Sequence, residues 1–304
     1  EKDAAFLKLY DGHDWKWFAV RLKHTDMEYL RKHWSGKKAS APMLEKKHDK
    51  YFLRFTYAEE VALNRTPVKE QTICSVDLGI NTDAVCTIMR PDGTILGRKF
   101  INFPSDKDRM YRVLGRIRRF QREHGSRQVQ GRWAYAKRLN TELGKKIARE
   151  IVFYASENRA DVIVFEYLEM KGKLSGKKKQ KLQMWRKRDI QKRCGQQAHR
   201  KEIRISRICA WNTSRLAFDG SGKIDRDIQD HRLCTFQNGK RYNCDLSASY
   251  NIGARYFIRE ILKPLPATER SLLEAKVPAV KRRTSCVYAD LRDLISEMEL
   301  RKAA

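Results

Sequence analysis

The sequence predicts an α/β fold, with a mixed sheet flanked by helices and a small β-rich module in front. Three observations lead there. Residues 1 to about 62 alternate apolar and polar with period two, the pattern of antiparallel strands with one solvated face. Two apolar runs, TICSVD at Thr72 to Asp77 and DVIVFEYL at Asp161 to Leu168, read as buried strands. Helical spacing takes over from Asp106 and returns after Leu246.

In chain order, Phe6 to Tyr10, Trp15 to Lys23 and Lys50 to Tyr57 are the alternating strands, with turns at Asp11-Gly12 and His48-Asp49 and a short helix near Met27 to Trp34. Their outward Lys and Arg suit phosphates or are simply solvated. Leu63 to Glu70, polar and carrying Pro67, reads as a linker. The Asp77 strand is followed by Ala84 to Met89 and Thr94 to Asn102 around the turn Pro91-Asp92-Gly93, so three consecutive antiparallel strands are expected. Tyr111, Leu114, Ile117 and Phe120, then Leu139, Leu143, Ile147, Ile151 and Tyr154, mark two amphipathic helices joined through Gly125 to Gly131. Their basic residues include Arg112, Arg116, Arg119, Arg132, Lys137, Arg138 and Lys145, with few opposing acids. This is a candidate phosphate-facing hairpin, the alternative being a solvated face.

The second apolar strand carries Glu166 near its end. A Gly- and Lys-rich loop follows, with Lys177, Lys178 and Lys179, and then a helix with Trp185 inside; all four are candidate nucleic-acid contacts. Ile203 to Cys209 returns to strand, and Ala210 to Asn243 is irregular and polar. Asp245 opens a strong helix that ends at Pro264, and a helical tail completes the chain. The expected division is 1–66, 67–208, 209–243 and 244–304.

Charge narrows the function class. Against 37 acidic residues stand 65 Lys and Arg, for a formal net charge of +28. Such self-repulsion fits a polyanionic partner, nucleic acid first, and the 10% aromatic content adds surfaces for base stacking. No apolar run of about 18 residues and no signal-peptide pattern occur, so neither export nor membrane spanning is expected. Seven Cys without paired spacing suit a reducing cytoplasm. The chain opens at Glu1 within what reads as ongoing structure, as part of a longer protein would.

Three acids stand apart: Asp77 and Glu166 on buried strands and Asp245 at a helix start. An ionised carboxylate out of water needs a partner. Asp245 alone is explained by the exposed amides of its helix, and ion pairs with the many Arg would satisfy all three. Together they fit another chemistry. Two Mg²⁺ ions about 4 Å apart, held by carboxylates on a rigid scaffold, hydrolyse phosphodiesters. Hard cations take carboxylate oxygens without His or Cys. Strand hairpin, basic helices, strand and helix-borne carboxylate come in the order of an RNase-H-like sheet.

The motifs resemble those of the TnpB transposon-associated nucleases and the related compact type V CRISPR effectors. VDLGINT at Val76 to Thr82 is similar to the first RuvC motif, VIVFEYL at Val162 to Leu168 to the second, and DLSASYNI at Asp245 to Ile252 to the third, usually DxNAAxNI. The resemblance covers roughly Tyr51 to Phe257. It implies a RuvC nuclease with Asp77, Glu166 and Asp245 as catalytic Mg²⁺ ligands, guided to target DNA by a structured RNA of transposon or CRISPR origin, acting in the bacterial cytoplasm and at the nucleoid. It also implies that residues 1–66 close an OB-like, β-barrel-like wedge domain, and that the protein works as a ribonucleoprotein holding one copy of the chain. The family commonly has a zinc ribbon between the second and third motifs. Here Asn212-Thr213-Ser214 resembles its entry, yet Ala217 and Gly220 stand where its first Cys pair would be, and no CxxC occurs. Cys209, His231, Cys234 and Cys244 have irregular spacing for zinc, so a metal-free ribbon held by packing is expected.

A nuclease-inactive RNA-guided repressor is the competing function, but it would be expected to have lost a carboxylate. A DDE-type transposase fits the acid order Asp, Glu, Asp less well, and a structural RNA-binding protein has no need of three buried acids.

Overall fold

The computed structural model describes residues 3–47, 49–125, 129–167, 187–282 and 284–303, with the side chains of 302 and 303 left aside. The chain forms two compact units, Glu1–Val61 and Ala62–Ala304. In the first, β1 (Ala4–Tyr10) and β2 (Trp15–Arg21) pair antiparallel, and α1 (His24–Trp34) follows. β3 (Lys38–Ala39) pairs with β6 (Tyr57–Ala58), and β4 (Met43–Lys47) with β5 (Lys50–Arg54), so these strands form separate two-stranded ladders. The β1–β2 turn is set by Asp11, whose Oδ1 accepts from the amides of His13 at 2.9 Å and Asp14 at 2.8 Å.

The second unit is built on a five-stranded mixed sheet. β7 (Ile73–Asp77), β8 (Ala84–Met89) and β9 (Ile95–Ile101) run antiparallel in sequence order. The helices α2 (Pro104–His124) and α3 (Gln130–Glu157) lead to β10 (Val162–Tyr167), which returns on the other side of β7 and parallel to it. α4 (Lys187–His199) precedes β11 (Arg204–Cys209), parallel to β10, and the strand order is β11-β10-β7-β8-β9. The carboxylate strands are therefore neighbours near the middle of the sheet, where hydrogen-bonded strands on both sides hold the backbone rigid.

Alternation sorts the side chains onto two faces. Cys74, Val76, Cys86, Ile88, Ile163 and Phe165 pack with Ile147, Ile151, Ile190 and Cys194 of α3 and α4. On the opposite face Ile73, Val85, Met89, Val162 and Val164 pack beneath α5 (Cys244–Leu262), through Tyr250, Ile252, Tyr256 and Phe257 among others. The approach is close: a Cβ on Gly253 would lie 2.8 Å from Met89 Cε and 3.2 Å from Ser75 Oγ. α6 (Ala267–Lys276), a short 3₁₀ turn (Pro278–Arg282) and α7 (Tyr288–Ala303) complete this layer with Leu273, Val280, Leu291 and Leu294. The C-terminal tail is core, not an appendage.

The segment read as irregular contains a three-stranded sheet, β12 (Asp225–Arg226), β13 (Leu233–Thr235) and β14 (Arg241–Asn243). Strands of two or three residues are too short to leave a period in the sequence. Ala217, Cys234, Phe236 and Cys244 form its core, with Phe218 and Tyr242 against them. Phe218 sits edge-on to Phe236 at 5.6 Å and tilted on Tyr242 at 4.9 Å.

Candidate functional site

β7 and β10 pair in parallel with Val76 opposite Phe165, so one residue further along Asp77 and Glu166 stand at the same level of neighbouring strands. Asp77 has the parity of Ile73, and Glu166 that of Val162 and Val164, so both face the α5 layer. Asp245 lies in the first turn of α5. An added Cβ on Gly79, two residues beyond Asp77, would come within 3.7 Å of Asp245 Oδ2, which brings the helix start over the end of β7.

Asp245 does not cap its helix. Asn243 does, its side chain accepting from the Leu246 amide at 2.9 Å. The Asp245 carboxyl instead takes a hydrogen bond from the Thr82 side chain. The motif's two departures also find partners. Ser247 Oγ accepts from the Phe218 amide at 3.2 Å, tying the insert to α5. Ser249 Oγ donates to Leu246 O at 2.7 Å and so accepts from Thr87 Oγ1 at 2.6 Å, pinning the helix to β8.

Each of these carboxyls is held above its ordinary range. Burial raises Asp77, which is 8% exposed, and the charges of Glu166 and Asp245 raise it further, against Lys187 and Arg226. Glu166, also 8% exposed, is raised by burial and moderated by the Thr213 hydroxyl, Lys187 and Arg255. Asp245 is raised by burial, with Thr82, Arg226 and Arg232 opposing. Lys187 is pushed down to about 8 by its own burial, the two strand carboxylates resisting the shift. These acids share one electrostatic neighbourhood in which anionic charge is incompletely offset.

All three principal donors are carboxylates, with no sulfur or imidazole among them. That donor set fits a hard divalent ion. Among the described residues, no group of three or more His, Cys, Asp or Glu is arranged to hold a metal as it stands. Cys234 and Cys244 are buried neighbours joined by a side-chain hydrogen bond. Cys209 is exposed at the end of β11, and His231 Nδ1 lies 3.1 Å from Asp227 O.

Arg112, Arg116, Arg119, Arg132, Lys137, Arg138 and Lys145 are all exposed on α2 and α3. Some are engaged locally: the Arg132 guanidinium lies 4.2 Å over the Phe120 ring, and Lys145 pairs with Glu142 at 2.7 Å. Lys177, Lys178, Lys179 and Trp185 lie outside the described residues.

Sequence reasoning missed Thr82, Lys187, Thr213, Asn251 and Arg255. Thr82, Thr213 and Asn251 sit inside stretches that the motif comparison had already marked, but nothing in their spacing reveals interactions made across the fold. Gly79 has a clear steric reason, since a Cβ there would lie 2.4 Å from Thr82 O. Gly79→Ala is expected to move Thr82 off Asp245 and cost about 1–3 kcal/mol, as overpacking does, read from denaturant unfolding.

No protein-family model matches the sequence, and no curated protein matches it. Among solved structures, the chain is similar to one in a Cas12f1–sgRNA–target DNA complex, with 17% identity and a TM-score of 0.49, covering 69% of this chain and 54% of that one. A CRISPR–Cas12f ternary complex matches with 15% identity and a TM-score of 0.44, over 78% of this chain and 49% of that one. A Cas12i–crRNA–dsDNA complex matches with 10% identity and a TM-score of 0.45, over 98% of this chain and 52% of that one. The chain thus spans about half the length of the chains it matches. At such identities each is a likeness only. Among the described residues, no helix is long and apolar enough to cross a membrane.

Proposed function

We propose that the chain is the catalytic part of an RNA-guided DNA endonuclease, with an RNase-H-like, RuvC-type site formed by Asp77, Glu166 and Asp245. The observation that carries this is the convergence of three separately encoded carboxyls on one buried neighbourhood, each raised by burial and Asp77 also by the charges of the other two. Gathering buried carboxyls in one place is costly, which supports a use for them.

The three carboxylates would hold two Mg²⁺ ions, which when bound lower the pKa of the attacking water and offset charge on the leaving oxygen. The protein's share is positional. The sheet fixes Asp77 and Glu166 side by side, and α5, pinned through Ser249 and Thr87, sets Asp245 against them. Arg226 and Arg232, whose charges act on Asp245, would meet the phosphate of an approaching strand. Zinc has no part in this reading; the insert is held by its aromatic core.

Guide RNA and target DNA are the proposed partners, with base pairing and not side chains choosing the sequence. The exposed Arg and Lys of α2 and α3 form the phosphate track. Replacing Arg116, Arg119 and Arg138 by Gln should weaken binding of any nucleic acid alike. It should also lower the slope of log K against log salt by roughly 0.7–0.9 for each phosphate that is no longer neutralised. An unchanged slope in filter-binding titrations would place the track elsewhere. Co-purifying the full protein with its RNA and sequencing it tests the guided reading: a transposon-end or repeat-spacer transcript supports it, and bulk cellular RNA does not.

A further inference from the structure

The segment between β11 and the insert reaches back to the carboxylates through one hydroxyl. Thr213, 2% exposed, donates from Oγ1 to Glu166 Oε1. The same oxygen lies 3.1 Å from Ala210 O, a neutral alternative for its single proton, so the hydroxyl is shared between the carboxyl and the turn. Asn212, just before it, adopts φ +58°, a left-handed conformation that Asn tolerates and that turns the chain at this point.

Thr213 is itself held from α5. Asn251, fully buried, donates from Nδ2 to Thr213 O at 3.0 Å and Leu216 O at 2.9 Å, while its Oδ1 accepts from the Tyr288 amide at 3.0 Å. Two carbonyls on one end and an amide on the other fix which way the side chain points. One turn further along, Arg255, 2% exposed, donates to Cys209 O at 2.9 Å, Trp211 O at 2.7 Å and Cys286 O at 2.7 Å. The helix that carries Asp245 at its start therefore also carries the pegs that place the partner of Glu166.

We propose that Thr213 is a positioning residue for the carboxylate site: its hydroxyl orients Glu166 toward a bound divalent cation, and Asn251 holds that hydroxyl in register with Asp245. The proposal rests on the reading of Asp77, Glu166 and Asp245 as a cation site. Outer partners of this kind are worth about 10–100-fold in metal affinity, because a ligand free to rotate must be ordered at the moment of binding. Glu166 accepts this hydrogen bond on the face shared with Asp77, so removing the hydroxyl frees the carboxylate at the position where the two must act together.

The test is Mn²⁺ binding to the full chain, read from the loss of free-ion signal in electron paramagnetic resonance. Thr213→Val, nearly isosteric, is expected to weaken binding by about 10–100-fold, and Thr213→Ser, which keeps the hydroxyl, to restore it to within a few-fold. Asn251→Ala should weaken it in the same direction. If Val does not fold, judged by circular dichroism, Thr213→Ala takes its place with the same expectation. Wild-type affinity in the hydroxyl-free variant would overturn the proposal, as would failure of Ser to restore it, since Thr213 would then only fill space. A separate arm tests the underlying reading: if Mn²⁺ binding survives the double change Asp77→Asn with Glu166→Gln, the ion sits elsewhere and both readings fall.

Discussion

Asp77→Ala is expected to abolish guide-directed DNA cleavage while RNA-dependent DNA binding stays intact. The expected fall is at least a hundredfold, above the ~10–100-fold that an outer partner of a ligand is worth, because Asp77 is the acid on which the charges of both others act. β7 is a central strand with the carboxyl at its end, so truncating that side chain leaves the ladder's backbone hydrogen bonds untouched. Binding draws on surface cations spread over α2 and α3 and has no need of the carboxyl. Single-turnover cleavage, with electrophoretic binding in parallel, separates the two. Loss of both together would indicate a folding defect, and cleavage at the wild-type rate would remove Asp77 from the chemistry.

A second large effect should run the other way. Without a divalent cation, Asp77→Asn is expected to make the protein more stable at neutral pH. The sign follows from the raised carboxyl. A group whose folded pKa lies above its unfolded one binds its proton more tightly when folded. The stability it contributes is complete below the ordinary aspartate value of 3.8 and is lost as pH rises through the higher folded value. Above the unfolded value the wild type therefore carries a cost, in proton uptake or in repulsion, that the amide lacks. Thermal melts in chelator should show the variant above the wild type at pH 7, by about 2 °C for each kcal/mol relieved, and the gap should close toward pH 4. Added Mg²⁺ should raise the wild type and leave the variant unmoved. A variant less stable than wild type in chelator would mean that Asp77 is already well paired.

Much of this was legible in the sequence because the signals are local. TICSVD and DVIVFEYL announce buried strands by their apolar continuity, and a carboxylate at the end of each stands out against it. The antiparallel β7–β8–β9 order follows from the turn at Pro91-Asp92-Gly93, and the long helices follow from their spacing. Asp245 was visible too: it lies in the first turn of its helix, where negative charge is favoured, while Asn243 supplies the cap and Thr82 adds a bond from outside the helix.

What stayed hidden depends on pairings between distant residues. Thr213 meets Glu166 across 47 positions, and Tyr288 meets Asn251 across 37, so no window of sequence holds either pair. The C-terminal tail reads as a helix without a destination until Leu291 and Leu294 are found in the core beneath α5. The insert's strands are too short for periodicity, and its stability comes from Phe218, Phe236 and Tyr242, whose spacing of 18 and 6 residues suggests nothing by itself.

The most direct test of the central claim is anomalous diffraction from crystals of the protein soaked in Mn²⁺. The account requires anomalous density within coordinating distance of Asp77, Glu166 and Asp245, absent from crystals of Asp77→Asn. Density elsewhere, with the three carboxylates still apart and Lys187 serving as their counter-ion, would contradict it.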